Sequence, residues 1–259
     1  MSRIFVTGDV HAEPSHRLGF QKFPESRNLT KNDYLIIVGD FGCIWNKENF
    51  KNEQYELKFL NNCPFTTLFI GGNHENWDRL REFPVEYING NFMAKVSDSV
   101  YFIPNGTILN IDGRKIFCFG GAMSTDRGGL NPNTFYPEEG KSWWRGEIPT
   151  KEEMNRGIIL LEDSDNVVDF VITHTMPIHA IQDFSLRNGY HMDRTIDPTS
   201  SYLTFVYNNI KFKNWFCGHF HKNDIFGQNI TCLYENIIDM DTGINYNTSY
   251  WFESNRLWV

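Results

Sequence analysis

A chain of 259 residues with 41% apolar and 15% aromatic residues carries enough hydrophobic side chain for a sizeable core, which excludes global disorder. Its 24 basic and 32 acidic residues leave a formal charge of −8, which disfavours a broad electrostatic grip on nucleic acid while leaving room for a local basic groove. The five cysteines, Cys43, Cys63, Cys118, Cys217 and Cys232, are odd in number and lack C-x-x-C spacing, so neither a disulfide framework nor a zinc ribbon is expected.

The chain enters the apolar run Ile4-Phe5-Val6-Thr7 without a basic-then-apolar leader, and no uncharged stretch approaches the roughly 18 residues of a membrane span. A soluble, cytoplasmic protein that does not engage a membrane is the expectation. The run ends in Gly8-Asp9-Val10-His11. Ala12 to Asp33, with Pro14, Gly19 and Pro24 and no clean period, reads as a loop with a short helix near enough to His11 to form a wall. Tyr34 to Val38 then runs into Gly39-Asp40-Phe41-Gly42. Asn49 to Asn62 reads as an amphipathic helix ended before Pro64, and it crosses back to a strand at Thr66, completing a βαβ unit.

That next run, Thr66 to Ile70, is broken by Gly71-Gly72-Asn73-His74-Glu75. Two glycines after a β-branched and aromatic run predict a tight loop at a strand's carboxyl end, where open α/β sheets bind ligands. Glu75 to Phe83 reads as a short helix stopped by Pro84. Val100–Ile103, Thr107–Ile111 and Lys115–Phe119 are separated by Asn105-Gly106 and Asp112-Gly113, strong hairpin signals that predict an antiparallel meander. Gly120 to Pro149 is a long irregular stretch holding Arg127, Trp143, Trp144 and Arg145, in which the tryptophans either anchor the loop to the core or belong to a substrate-facing lid.

Thr150-x-x-Glu153 is a capping box that starts a helix through about Asp163. Val168 to Ile172 leads to Thr173-His174, and a helix follows Pro177. His179 and His191 end no strand and read as structural or surface residues. Thr199 to Ile210 is a helix leading to Trp215-Phe216-Cys217 and Gly218-His219-Phe220-His221, and Ile230 to Leu233 is strand-like. A chain that is βαβ at both ends with a meander between them predicts an α/β fold. Its layers are two facing mixed β-sheets flanked by helices, a four-layer α/β/β/α sandwich in a single domain over 1–259.

Five apolar runs therefore end in Asp, Asn or His, the hard or borderline donors that Mn, Fe and Zn accept. Asp9, His11, Asp40, Asn73, His174, His219 and His221 make seven candidate ligands, more than one tetrahedral or octahedral ion takes from protein. Two ions sharing a ligand fit better. Asp40 is the natural bridge, because a carboxylate offers two oxygens and two-metal sites hold their ions about 3.5–4 Å apart.

The order D-x-H, G-D, G-N-H-[ED], H and G-H-x-H resembles the calcineurin-like metallophosphoesterase superfamily. The resemblance implies that Asp9, His11, Asp40 and His221 hold a first divalent ion and that Asp40, Asn73, His174 and His219 hold a second. Mn²⁺ is the first candidate, with Fe, Zn or Ni as the others. It also implies that His74, left unligated, is the catalytic residue that stabilises the phosphoryl oxygens and protonates the leaving alkoxide. Two cations would neutralise the ester's charge and lower the pKa of a bridging water towards roughly 7. An imidazolium acid at His74 would add about 10²–10⁴-fold.

The protein Ser/Thr phosphatase branch continues its second motif as G-D-x-x-D-R-G and ends its last as G-H. Here Cys43 and Ile44 stand at the Asp-Arg positions and His221 is additional, so the resemblance is to the broader group of cyclic-nucleotide phosphodiesterases, exonucleases and small phosphatases. Arg127 and Arg145 are the candidates for meeting the phosphate. The expected function is hydrolysis of a phosphate mono- or diester of a small or nucleotide-derived substrate by a metal-bound hydroxide. The alternatives are a nuclease acting on single-stranded nucleic acid, for which Trp143, Trp144 and Arg145 would begin a track, and a non-catalytic binding scaffold of the same fold.

Overall fold

Along β1 (Ile4–Thr7), Ile4 and Val6 turn to one buried face and Phe5 to the other. A strand covered on both sides must be apolar throughout, which is why the run shows no polar alternation. The same holds for β2 (Tyr34–Ile37) and β3 (Thr66–Phe69), which extend β1 in parallel. The structure, a computed structural model, describes residues 1–45, 51–124, 138–189 and 197–247.

Further along come β4 (Val85–Ile88), β5 (Asn91–Ser97), β6 (Val100–Phe102), β7 (Thr107–Ile111), β8 (Arg114–Phe119), β9 (Phe170–Thr173), β10 (Asn214–Cys217), β11 (Asp224–Phe226), β12 (Ile230–Cys232) and β13 (Ile237–Asp239). They form a seven-stranded mixed sheet in the order β13-β1-β2-β3-β6-β5-β4 and a six-stranded mixed sheet in the order β11-β12-β10-β9-β8-β7. Ile4, Val6, Ile36, Val38 and Leu68 from the first sheet pack against Leu109, Ile116, Phe170, Ile172 and Phe216 from the second. The sheets therefore face each other.

Helices α1 (Pro14–Leu18), α2 (Lys51–Asn62) and α3 (Trp77–Glu82) cover the outer face of the first sheet through Leu18, Leu60, Trp77 and Leu80. Helices α4 (Lys151–Glu162), α5 (Ile178–Asn188) and α6 (Pro198–Asn209) cover the second through Leu161, Ala180, Phe184, Leu203 and Val206. The four-layer sandwich is as expected from the sequence. Thr150 caps α4 as its motif requires, accepting from Glu153 N at 3.2 Å while the Glu153 carboxylate accepts from Thr150 N at 2.7 Å.

The middle section differs from the predicted meander. β6 pairs in parallel with β3 in the first sheet, whereas β7 and β8 pair in the second, so the chain crosses between sheets at Asn105-Gly106. The reason lies in the backbone. A two-residue type I′ hairpin needs positive φ at both central residues, and Asp112 (52°) with Gly113 (84°) supplies it between β7 and β8. Asn89 (50°) with Gly90 (82°) does the same between β4 and β5, a hairpin the sequence reading passed over. At Asn105-Gly106 only Gly106 is positive (68°), and the Asn105 side chain instead accepts from Gly120 N at 2.7 Å, tying the crossover to the end of β8.

Candidate metal centre

The loops after β1, β2 and β3 in one sheet and after β9 and β10 in the other meet at the carboxyl ends of their strands. Four of the residues they deliver, His11 (φ 44°), Asp40 (46°), His219 (67°) and His221 (49°), sit in the left-handed region. Each such non-glycine residue costs of order 1–3 kcal/mol, strain that persists where the surroundings hold the side chain in a required direction. The loops also need bare backbone: a methyl on Gly39 (φ 95°) would overlap the His174 imidazole, and one on Gly218 would overlap the Asp9 carboxylate.

All seven predicted donors converge. Donor atoms of Asp9, His11, Asp40 and His221 lie within 4.8 Å of one another, as do those of Asp40, His174 and His219, and Asp40 belongs to both groups. Asn73 Oδ1 joins the second group 3.0 Å from His174 Nε2. The buried Asp9 carboxylate accepts from His219 N, at 3.1 Å to each oxygen, and its Oδ2 stands 3.1 Å from His221 Nε2. Asp40 Oδ1 accepts from His74 N at 2.8 Å, which ties the carboxylate common to both groups to the loop after β3.

The chemistry of these donors fits cations. His174 Nδ1 lies 2.9 Å from the Val38 carbonyl oxygen, which can only accept, so Nδ1 carries the hydrogen and Nε2 of the neutral ring presents a lone pair. That lone pair faces two oxygens, Asn73 Oδ1 at 3.0 Å and Asp40 Oδ1 at 3.2 Å. His11 Nε2 and His221 Nε2 stand 2.9 Å apart in the other group. Acceptors aimed at one another call for positive charge between them. Burial works against charging His174, but Asp40 and then Asp9 outweigh it and push its pKa up to about 10. His219 goes the other way, to about 4, because burial and the neighbouring His174 both penalise its charged form. A divalent ion on each donor group would satisfy the same atoms with every ring neutral.

His74 is half-buried beside the cluster. Its ring lies edge-on to His11, with centroids 5.4 Å apart, and stacks at 6.1 Å and 27° on Trp45. Its imidazole makes no hydrogen bond among the described residues. Beneath it, the buried Glu75 carboxylate accepts from Phe41 N at 2.6 Å and Gly42 N at 3.1 Å, which clamps the turn that carries Asp40.

A profile described as calcineurin-like phosphoesterase matches residues 2–223. The chain belongs to that family. Among curated proteins this chain is similar to lariat debranching enzymes. Identity is 27% over 126 residues to the Drosophila pseudoobscura pseudoobscura protein, covering 44% of this chain and 22% of that one. It is 28% over 126 residues to the Drosophila melanogaster protein, with the same coverage. It is 25% over 203 residues to the Saccharomyces cerevisiae protein, covering 74% of this chain and 46% of that one. The chain thus spans less than half the length of these relatives.

Of the two arginines expected at the phosphate, one is described. Arg145 is exposed and paired with Glu139 at 3.2 Å, and Arg127 lies outside the described residues, as does His191. Trp144 is buried edge-on against Trp45, with centroids 4.5 Å apart, so it anchors its loop. His179 packs on Tyr207 at 4.4 Å, a structural residue as its position implied. All five cysteines are buried and free.

Two features of the site had no sequence signal. One is Trp45, an aromatic residue in a loop, held by the Asn76 side chain donating to its carbonyl at 2.8 Å. The other is the support of His221. Its ring stacks on Tyr234 at 4.6 Å and 20°, while the Arg17 guanidinium lies over Tyr234 at 5.3 Å and donates to Gly8 O at 3.0 Å and Tyr234 O at 2.6 Å. Among the described residues no helix is long and apolar enough to cross a membrane.

Proposed function

We propose that this protein hydrolyses a mono- or diester of phosphate in a small or nucleotide-derived substrate with the help of two divalent cations, Mn²⁺ first among the candidates. The observation that carries the reading is the sharing of Asp40 by two donor groups, with His74 beside both. Asp9, His11, Asp40 and His221 would hold one ion, and Asp40, Asn73, His174 and His219 the other. When bound, such ions neutralise phosphate charge and make water acidic enough to supply a nucleophile near neutral pH.

The chain's own groups do the rest. The Asp40 carboxylate, immobilised by His74 N, sets the spacing of the two donor groups. His74 stands on the solvent side with its ring nitrogens unengaged, placed to hold a proton and pass it to the departing alkoxide oxygen. Trp45 limits the directions in which that ring can face. The seven donors and His74 are all present, which favours turnover over a non-catalytic scaffold.

Nucleic acid is the second substrate class, favoured by the lariat debranching enzymes among the relatives and opposed by the formal charge of −8. Five unpaired cysteines support a reducing, cytoplasmic setting. The test is a turnover panel with added Mn²⁺, comparing p-nitrophenyl phosphate, its bis-ester, 2′,3′- and 3′,5′-cyclic nucleotides and a single-stranded oligonucleotide. Metal-dependent release of product from at least one small ester is expected. Hydrolysis of none of them, with two ions bound per chain, would overturn the proposal.

A further inference from the structure

Directly beside the donor cluster lies a cavity of about 280 Å³ lined by His11, Ala12, Gly42, Cys43, Trp45, Asn52, Glu53 and His74. His11 and His74 form the boundary it shares with the proposed centre, so it is placed to take the group next to a phosphate held there. Drug-sized ligands take about 300–1,000 Å³, so the volume suits one ring system and not a length of polymer.

The walls specify that ring. Trp45 presents its indole on one side, and its plane is fixed twice, by the buried Trp144 packed edge-on at 4.5 Å and 80° and by the stack on His74 at 6.1 Å and 27°. A preset aromatic plane takes another flat ring with little loss of side-chain freedom. Cys43 contributes a buried thiol whose pKa burial pushes well up, so it is a neutral apolar surface. Glu53 brings no free charge, because Arg79 binds its carboxylate through two hydrogen bonds at 2.7 and 2.9 Å. Among the described lining residues other than the two histidines, the exposed Asn52 is the remaining polar group. Its amide nitrogen donates to Ala12 O at 3.3 Å, which leaves the carboxamide oxygen without a partner among the described residues.

The geometry points to a nucleobase subsite: Trp45 stacks the base of a nucleotidyl substrate, and the Asn52 carboxamide reads that base's hydrogen-bonding edge. This rests on the phosphoesterase reading of the adjoining centre and adds to it the group next to the scissile phosphate. A stacked ring with a polar edge, beside described walls that carry no unpaired charge away from the proposed centre, selects a base over a second phosphate or a bare alkyl group.

Calorimetric binding to the metal-loaded protein tests it with adenosine 5′-phosphonate, ribose 5-phosphonate and phenylphosphonate, whose carbon–phosphorus bonds are not hydrolysed. The wild type is expected to bind the adenosine compound at least about tenfold more tightly than the ribose compound, as one stacked base provides. Trp45→Ala should bring that ratio close to one, and Trp45→Phe should restore part of it. Asn52→Ala, a substitution at an exposed side chain, should weaken only the adenosine compound. Equal wild-type affinities for the adenosine and ribose compounds, or an undiminished preference in Trp45→Ala, would overturn the subsite. Phenylphosphonate bound as tightly as the adenosine compound would overturn its assignment to a base. Binding is read without turnover, so these outcomes are distinct from failure of the hydrolysis panel.

Discussion

His174 Nδ1 reaches from the loop after β9 in one sheet to the Val38 carbonyl at the end of β2 in the other, at 2.9 Å. That bond selects the ring's tautomer and turns Nε2 toward Asp40 and Asn73. The sandwich thereby presets the donor set, and the energetic consequences of occupying it can be measured.

Asp40→Ala should lose metal. It removes the carboxylate common to both donor groups, so bound ions measured by mass spectrometry should fall to background. Wild-type protein should also gain stability with added Mn²⁺, by about 2.7 kcal/mol at a hundredfold excess over Kd, and the variant should not. An equal shift of melting temperature in both would remove Asp40 from its bridging position.

His74→Ala should separate chemistry from binding. Only the backbone amide of His74 contacts Asp40, and alanine keeps it, so metal content should be unchanged. Turnover of an alkyl ester should fall by about 10²–10⁴-fold, and that of a p-nitrophenyl ester much less, because a stable phenolate needs no acid. Equal losses on the two esters would argue against proton donation.

Glu75→Ala should destabilise the protein and weaken its metal affinity together. Phe41 N and Gly42 N would lose their buried acceptor, at about 1–3 kcal/mol for each orphaned group, and the turn presenting Asp40 would loosen. Glu75→Gln keeps one acceptor oxygen but sets its amide NH2 against the other backbone N–H, because Phe41 N and Gly42 N bond different carboxylate oxygens, so it should recover only part of both. Burial holds the Glu75 pKa well above the ordinary value, so the lost acceptor rather than the lost charge limits the amide. Urea denaturation and metal titration read the two effects.

The acid limb of stability should carry the signature of Asp33. Burial acts to raise its pKa, but hydrogen bonds from Arg3 N at 2.8 Å, Thr30 N at 2.7 Å and the Thr30 hydroxyl at 3.0 Å outweigh it and hold the group below the ordinary 3.8. A carboxyl depressed in the folded state contributes stability above its unfolded value and loses it as pH falls through the folded one. Melting temperature should therefore drop below about pH 4, and Asp33→Asn should be less stable at pH 7 with a shallower acid limb.

The run of the chain was legible wherever local physics decides. Strands covered on both faces must be apolar, so β1, β2, β3, β9 and β10 showed themselves, and Thr150 with Glu153 marked the start of α4 through groups three residues apart. The motif Asp9-x-His11 and its four companions could be read because metal donors are few in kind and each stands just past such a strand. Hairpins were less secure, since Asn-Gly permits positive φ without imposing it; Asn105-Gly106 crosses between sheets whereas Asn89-Gly90 and Asp112-Gly113 reverse the chain. What only the tertiary structure decided are relations between residues remote in the chain: the Val38 carbonyl that orients His174, the Arg17–Tyr234 support under His221, and the cavity where Trp45, braced by Trp144, meets His74. Composition and spacing carry one residue's preferences along the backbone, whereas these contacts depend on where two loops end in space, and that is set by the packing of the two sheets.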